Sequence, residues 1–512
     1  MTAAHGAAVS FEVTHALGND GVAMDELMAQ RVAKLEALRA AGIDPYPPRA
    51  TRTHTAADIA TIVEALPEGT SEAEGVEADV AGRVVGRRDM GKATFIDLQD
   101  GTGRAQALFR QNRIDDYESL RFIDLGDFIG VHGLPMRTRT GQPTVSATSW
   151  TMLAKALHSP PEKYHGLADS EARQRRRYLD LMANENTRRT FAIRSRAIAS
   201  IRRFLDHRGF LEVETPILQQ SESGAAARPF LTHFNAIDED RVLRISLELN
   251  LKRLLIGGFE RVYEIGRNFR NEGMSFKHNP EFTMIETYEA YADYLQVAEM
   301  VEQLVSSVAL DVLGTTQVDF RETMIELAPP WRRVTFNDAM VEYGGPDLDE
   351  FRDAESLRAE LRRRGVDSPP TAGYGKLADA AMSHYIEPNL IKPTFLLDYP
   401  VELSPLAKRK PGNDRLVERF ECFIGGFEFG NAYTELNDPI EQRARFDEQI
   451  ALREAGDDEV ELVDDDFLFA LEHGMPPTGG FGMGIDRLIM LLTGQTSIRE
   501  VILFPPLKTI RE

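Results

Sequence analysis

The chain has 512 residues, 42% of them hydrophobic and 27% charged, and a formal charge of −22 from 59 basic and 81 acidic side chains. That length exceeds a single hydrophobic core and sets an expectation of two or three domains, while the acidic balance excludes a protein that coats nucleic acid through a uniform positive field, though not local basic patches. One cysteine, Cys422 in an apolar stretch, excludes an intrachain disulfide framework and a cysteine-rich metal site, and reads as a buried thiol.

From the N-terminus, residues 1–22 mix Ala, Gly and polar residues without a sustained period. They lack the cationic start and apolar centre of a secretory signal, and no run of 18 apolar residues occurs anywhere. A cytoplasmic protein without a membrane span is therefore expected. Between Met24 and Ala41, apolar Leu27, Met28, Val32, Leu35 and Leu38 recur at helical spacing, and Gly42 with Pro45, Pro47 and Pro48 ends the helix. Residues 66–76 read as a loop. From Val76 to Ala154 come the short β runs VAGRVVGR, ATFIDLQD, RAQALF, DFIGVHGLP and PTVSAT, separated by glycine turns. Five strands in so short a span fit a small barrel such as the OB-fold.

The expected division is an N-terminal extension and helix over 1–75, the OB-fold barrel over 76–158, a linker over 159–186, and a mixed domain over 187–512 with a helical insertion at about 347–386. An arginine cluster (Arg173, Arg175, Arg176, Arg177, then Arg188, Arg189, Arg194 and Arg196) reads on its own as a helix face with acidic partners. Gly86 to Lys92, G-R-R-D-M-G-K, falls one residue short of a phosphate-binding loop. Ala93 stands where Ser or Thr would hold magnesium, and a strand-like run follows where a helix is required, so this is a hairpin turn of the barrel. In ATFIDLQD, a period of two sets Ile96 and Leu98 inside and Phe95 outside. In RAQALF it sets Ala105 and Ala107 inside and Gln106 outside. An outward aromatic beside an outward amide suits unstacked bases.

The stretch FERVYEIGRNFRNEGMSFKHNPEFTMIETY, residues 259–288, resembles motif 2 of the class II aminoacyl-tRNA synthetases, a hairpin that clamps ATP. GGFGMGIDRLIMLL, residues 479–492, is similar to motif 3, and GFLEVETPIL, residues 209–218, to motif 1, through which such enzymes pair as dimers. Three motifs in this order are jointly specific. With GKATFIDLQD, EARQRRRYLDL, GAAARPFLTH and YTELNDP, the resemblance spans nearly the whole chain and is nearest to the bacterial lysyl-tRNA synthetases. The aspartate and asparagine enzymes share barrel and motifs but fit these connecting segments less well.

The resemblance implies an α+β fold: an N-terminal OB-fold β-barrel that binds the anticodon, through Phe95 and Gln106, and a class II catalytic domain built on an antiparallel sheet flanked by helices. It implies a homodimer joined through the motif 1 region. The implied reaction is ATP-dependent activation of L-lysine to lysyl-adenylate, then transfer to the 3′ end of tRNA(Lys), with up to three Mg2+ ions per active site. Arg270 and Arg487 would be catalytic, and with Glu272, His278, Phe282 and Glu428 would bind ATP. Glu421 and Glu428 would be the metal carboxylates. Gly224, Glu248, Arg270, Glu286, Tyr288, Asn431, Tyr433 and Glu435 would form the lysine site. These types suit their tasks: a guanidinium spans phosphate and carboxylate, a phenyl ring stacks on adenine, and carboxylates take up ammonium groups. Gly479, Gly480, Gly482 and Gly484 would let backbone pass close to nucleotide.

In RFECFIGGFEFGNAYTEL, Gly425-Gly426 signals a two-residue hairpin, and pairing Ile424 with Phe427 sets Glu421 and Glu428 on one face. Asn431, Tyr433 and Glu435 alternate onto a common face, which strict alternation places opposite Glu428. A bulge at Gly430 would bring both sets to one cavity. The grouping of Glu248, Glu286 and Glu435 favours a cationic substrate, because buried carboxylates without cations are costly. One segment departs from the family: RISLELNLKRL has Ser246-Leu247 where Ala-Pro is usual and Asn250 where Tyr is usual. The rival readings are an aspartyl or asparaginyl synthetase, a tRNA-binding paralogue without catalysis, and a lysyl ligase acting on protein.

Overall fold

The structure is a computed structural model and describes residues 26–161, 169–220, 224–225, 227–368, 372–454 and 463–509. The readings made for residues 1–22 and for part of the linker lie outside those residues. The chain divides into two compact units, Met1–Gly166 and Leu167–Glu512.

In the first unit, the helix expected after Met24 runs Glu26–Ala40 and buries Met28, Leu35 and Leu38, while Leu27 is exposed. Five strands, Ala78–Met90, Ala93–Gln99, Arg104–Arg110, Phe128–Arg137 and Pro143–Ala154, close into a barrel. Ile96, Leu98, Ala105 and Ala107 are buried, as parity requires, beside Val80, Val84, Phe109 and Ile129. The near-miss phosphate loop is the end of a strand and a tight turn: Met90 pairs with Ala93 across Gly91, whose φ of +63° an unbranched glycine adopts without strain.

The second unit is built on a nine-stranded sheet ordered Arg332–Thr335, Thr394–Pro400, Asn413–Ile424, Phe427–Thr434, Thr478–Gly484, Glu281–Ala290, Arg261–Phe269 and Leu211–Glu212, with Arg409–Lys410 beside Asn413–Ile424. The central pairs are all antiparallel; only the outermost, Arg332–Thr335 with Thr394–Pro400 and Leu211–Glu212 with Arg261–Phe269, are parallel. Helices Glu185–His207, Tyr294–Leu313 and Ile485–Thr493 cover one face. Their Ile201, Leu205, Val301, Val305, Leu488 and Ile489 pack on Ile285, Phe420, Cys422, Phe429, Ala432, Phe481 and Met483 of the strands. Cys422 is buried there, as its apolar setting implied. A second core gathers the helices Phe336–Glu342, Ala354–Arg363 and Tyr374–Tyr385, the last two within the span 347–386 expected to be helical.

The arginine cluster is largely structural. Arg177 is fully buried with its Nη1 2.8 Å from Asp180 Oδ2, and Arg194 reaches Asp486 Oδ1 at 2.5 Å. Arg175 pairs with Glu171 one helical turn away at 2.5 Å.

Candidate active site

Since one face of the central sheet is given to helices, alternate residues must face the other way. Glu281–Ala290 points Phe282, Met284, Glu286 and Tyr288 into a cavity of about 640 Å3, while Ile285 and Thr287 are buried behind them. Thr478–Gly484 sends Phe481 and Met483 into the core and presents Gly480, Gly482 and Gly484 as cavity floor. A Cβ on Gly482 would meet only ordinary contacts, at 3.5 Å from Met284, so this glycine leaves open floor. A Cβ on Gly480 would lie 1.9 Å from Glu435 Oε1.

The hairpin at Gly425-Gly426 forms as expected, with φ of +69° and +80° and Ile424 opposite Phe427. Past Phe423 and Glu428 the register shifts, so that Cys422 faces Gly430 and Glu421 faces Asn431. This is the required bulge, with Phe429 as the extra residue rather than Gly430 itself. Glu428, Asn431, Tyr433 and Glu435 all line the one cavity as a result.

The cavity has two chemically distinct parts. Near the hairpin of strands Arg261–Phe269 and Glu281–Ala290 lie Arg270, Glu272, His278 and Phe282, with Glu428 from strand Phe427–Thr434 and Arg487 from the first turn of helix Ile485–Thr493 lining the same part. The Arg270 guanidinium stacks 5.4 Å from the Phe282 ring centre, and Arg487 Nη1 binds Glu428 at its backbone carbonyl (2.6 Å) and Oε2 (3.2 Å). Burial alone would raise the Glu428 carboxyl, but Arg487, Arg419 and Arg270 together hold it below the usual carboxylate range. Burial pushes Glu421 up to about 7 despite Arg419. Glu421 shares the Glu428 side of the strand but sits one layer back, where Arg419 Nη2 covers it.

The other part is lined with acids. Glu248, Glu286, Tyr288 and Glu435 are buried, and Gly224 closes the wall near Ser246 with φ of +83°. Burial, then Glu248, pushes Glu286 up to about 7, although Tyr288 Oη donates to Oε2 at 3.0 Å. Burial pushes Glu435 up to about 8, opposed by Lys252 and reinforced by Glu248 and Glu286. Its Oε1 has no hydrogen-bond partner among the described residues. An unpaired, desolvated acceptor beside two other carboxylates is a receptor for a cation.

Two groups of this site, Arg419 and Lys252, escape the sequence reading, and a third shows in it only as a departure from the family pattern. Arg419, two residues before Glu421 on the same strand face, donates to Asn431 Oδ1 (3.1 Å), Leu403 O (2.7 Å) and Ser404 Oγ (2.8 Å), and its charge lies 4.5 Å from the Tyr399 ring and 5.6 Å from that of Tyr433. Asn431 in turn donates to Tyr433 Oη at 2.6 Å. Lys252, four residues after Glu248 on one helix, is fully buried with Nζ 2.6 Å from Glu248 Oε1 and 2.5 Å from Glu435 Oε2. The acids thus already hold one cation from the chain itself, which the reading of their grouping as favouring a cationic substrate did not include.

The third is Ser246-Leu247, whose departure from the family pattern has a chemical use. Ser246 Oγ and the Leu247 N–H both donate to Glu286 Oε1, at 3.2 and 3.1 Å. Proline at 247 would have no N–H to give, and alanine at 246 no hydroxyl. Ser246 Oγ also accepts from the Glu248 N–H at 3.2 Å. Ser246→Ala is expected to raise KM for the molecule bound at this end of the cavity about fivefold to tenfold, since hydrogen bonds to charged groups contribute about 1.5–3 kcal/mol and two donors remain on Glu286. Steady-state kinetics with unchanged KM would remove Ser246 from the site.

In the barrel, Phe95 lies half-buried on the outer face. Gln106 shares that side but is buried, contrary to the free amide expected. Its Nε2 donates to Asp97 Oδ1 (3.1 Å), and its Oε1 accepts from Thr144 Oγ1 (3.2 Å), because strand Pro143–Ala154 runs alongside and covers it. No group of three or more His, Cys, Asp or Glu side chains able to hold a metal occurs among the described residues, nor does a helix long and apolar enough to cross a membrane.

Residues 169–508 match the family model described as tRNA synthetases class II (D, K and N), and residues 78–153 match that described as OB-fold nucleic acid binding domain. The chain is 52% identical over 486 residues to the lysine–tRNA ligase of Dehalococcoides mccartyi strain CBDB1, which covers 94% of this chain and 97% of the relative. It is 50% identical to the lysine–tRNA ligases of Pelotomaculum thermopropionicum (95% of each chain) and of Roseiflexus castenholzii (95% of this chain, 99% of the relative).

Proposed function

Because the chain belongs to the class II aminoacyl-tRNA synthetases of the aspartate, lysine and asparagine group, we propose that it is a cytoplasmic lysine–tRNA ligase. It activates L-lysine with ATP and transfers the lysyl group to the 3′ end of tRNA(Lys). The observation that carries the choice of lysine is the acid-lined end of the cavity. Glu248 takes the α-ammonium group, Glu435 with Tyr288 takes the ε-ammonium group, and Glu286 stands between them. Lys252 lies behind this wall with its ammonium spent on Glu248 and Glu435 and presents no donor to the cavity, so an aspartate side chain would meet only acids there.

In the first step, a carboxylate oxygen of lysine attacks the α-phosphorus of ATP, forming the mixed anhydride and releasing pyrophosphate. Arg270 spans the reacting carboxylate and the α-phosphate, and Arg487 reaches the outer phosphates. Phe282 offers adenine a stacking face beside Glu272 and His278. In the second step, the terminal ribose hydroxyl of tRNA attacks the carbonyl carbon and AMP leaves. No side chain forms a covalent bond, and positioning with charge neutralisation provides the acceleration. Glu428, which lines the cavity, would hold magnesium carried by ATP, since that ion commonly takes only one or two carboxylates together with phosphate oxygens, and the ion would neutralise the phosphates; Glu421, one layer back, would join it only with Arg419 turned away. Phe95 and Gln106 are assigned to the anticodon surface, with Gln106 positioning Asp97 rather than acting as a free amide. A homodimer through the motif 1 region is supported by exposed Leu211, Ile217, Leu218, Leu231, Phe234 and Ile237, of which Leu231 is 80% exposed.

ATP–pyrophosphate exchange with each amino acid tests the assignment: exchange with lysine is expected, and exchange with aspartate or asparagine but not lysine would overturn it. The raised carboxyls predict an acid limb. Below about pH 8 Glu435 gains a proton, and below about 7 Glu286 does, while the substrate's ε-ammonium stays charged up to about pH 10.4. The kcat/KM for lysine should therefore fall about tenfold per unit below pH 7.5 and more steeply below 6.5. A flat profile would contradict ionised acids as the lysine receptor.

A further inference from the structure

Lys252 sits on the helix Glu248–Ile256, where a spacing of four residues puts it on the same face as Glu248. Its side chain is fully buried, and its ammonium bridges Glu248 Oε1 at 2.6 Å and Glu435 Oε2 at 2.5 Å. Those carboxylates lie 187 residues apart in sequence. The Phe467 ring, its centre 5.9 Å from Nζ, closes the far side. Lys252 does not line the cavity, whereas both of its acidic partners do.

We propose that Lys252 is a positioning residue that sets both the charge and the shape of the amino-acid pocket; this rests on the reading of that pocket as the lysine site. In the lysine complex, three buried carboxylates, Glu248, Glu286 and Glu435, ionise against one resident ammonium and the two ammonium groups of the substrate. The substrate carboxylate is met separately by Arg270. Without Lys252, three acids meet two ammonium groups, and one of them holds a proton instead. Glu435 is the acid that gives way, because its Oε1 has no other donor while Glu286 has three. A protonated Glu435 recognises a hydroxyl nearly as well as an ammonium group. By holding one oxygen of each acid from behind, Lys252 turns Glu435 Oε1 toward the floor at Gly480 and fixes where the two ends of the substrate are read.

The test uses the full-length enzyme in ATP–pyrophosphate exchange with L-lysine and with 6-hydroxy-L-norleucine, in which a hydroxyl replaces the ε-ammonium group. For Lys252→Met and Lys252→Gln, KM for lysine should rise at least tenfold with kcat within threefold. The preference for lysine over the hydroxy analogue should fall at least tenfold. In a Glu435→Gln background, Lys252→Met should change that preference less than threefold, since its acidic partner is already neutral. Lys252→Arg, which keeps the charge, should retain most of the preference and guards against a neutral variant that fails to fold. Equal losses for both substrates, with the preference unchanged in Met, Gln and Arg variants alike, would reduce Lys252 to a structural residue and overturn the proposal. Failure of the wild-type enzyme to use lysine would instead remove the reading beneath it.

Discussion

Replacing Arg270 by lysine is expected to lower the rate of adenylate formation by about 10²–10³-fold, measured as single-turnover ATP consumption with saturating lysine, while changing the melting temperature little. Both residues carry one positive charge, so the effect comes from geometry. A guanidinium presents a planar fork to two acceptors at once, whereas an ammonium is a point charge that satisfies one oxygen well, and losing one aligned donor to a developing charge costs about 2.7–4 kcal/mol in comparable sites. Arg270 is prepared for this task before any ligand arrives. Its N–H is tied to Pro280 O at 2.8 Å, its Nε reaches Ile245 O at 3.4 Å, and the Phe282 ring supports its flat face. A loss below tenfold would show that the arginine binds substrate without touching the reacting atoms.

Glu435→Gln is expected to reduce kcat/KM for lysine by about 10²–10³-fold, mostly through KM, because truncating one partner of a buried charge pair costs about 2–5 kcal/mol. The amide has nearly the same shape as the carboxylate, so packing against Gly480 and Tyr288 is preserved and the loss reports charge. KM for ATP should move less than threefold, since Glu435 lies at the acid-lined end of the cavity and not near Phe282 or Arg487. Unchanged lysine kinetics would remove Glu435 from the pocket.

How much of this site the sequence carried depends on whether the deciding contact is local. The hairpin at Gly425-Gly426 was readable because a two-residue turn with positive φ at both positions leaves its signature in adjacent residues. The bulge was readable from chemistry, since Glu428 and Asn431 had to share a cavity, but it was placed one residue late. Gly430 is glycine for another reason: a Cβ there would lie 2.7 Å from the Phe481 ring and 2.9 Å from Gly482 O. Close approach of the neighbouring strand and the extra residue thus fall side by side, and sequence alone does not separate them. Parity placed Ile96, Leu98 and Phe95 correctly, yet it says nothing of cover, and Gln106 is buried by Thr144 from a strand that pairs with it only in the closed barrel.

Lys252 shows the same limit most clearly. Its pairing with Glu248 was available as an i, i+4 contact on one helix, but its pairing with Glu435 exists only after the sheet is assembled. Ser246-Leu247 was visible as a departure and opaque as chemistry, because its acceptor, Glu286, lies forty residues on. What was read well was the set of cavity-facing residues on each strand, since alternation is a local rule that the helices behind the sheet enforce.

The most direct test of the whole account is charging of total tRNA with labelled lysine in the presence of ATP and magnesium, by wild type and Glu435→Gln side by side. Label should enter only the tRNAs with UUU and CUU anticodons, and the variant should charge them at least a hundredfold more slowly at limiting lysine. Charging with aspartate or asparagine in place of lysine, or equal lysine charging by both proteins, would contradict it.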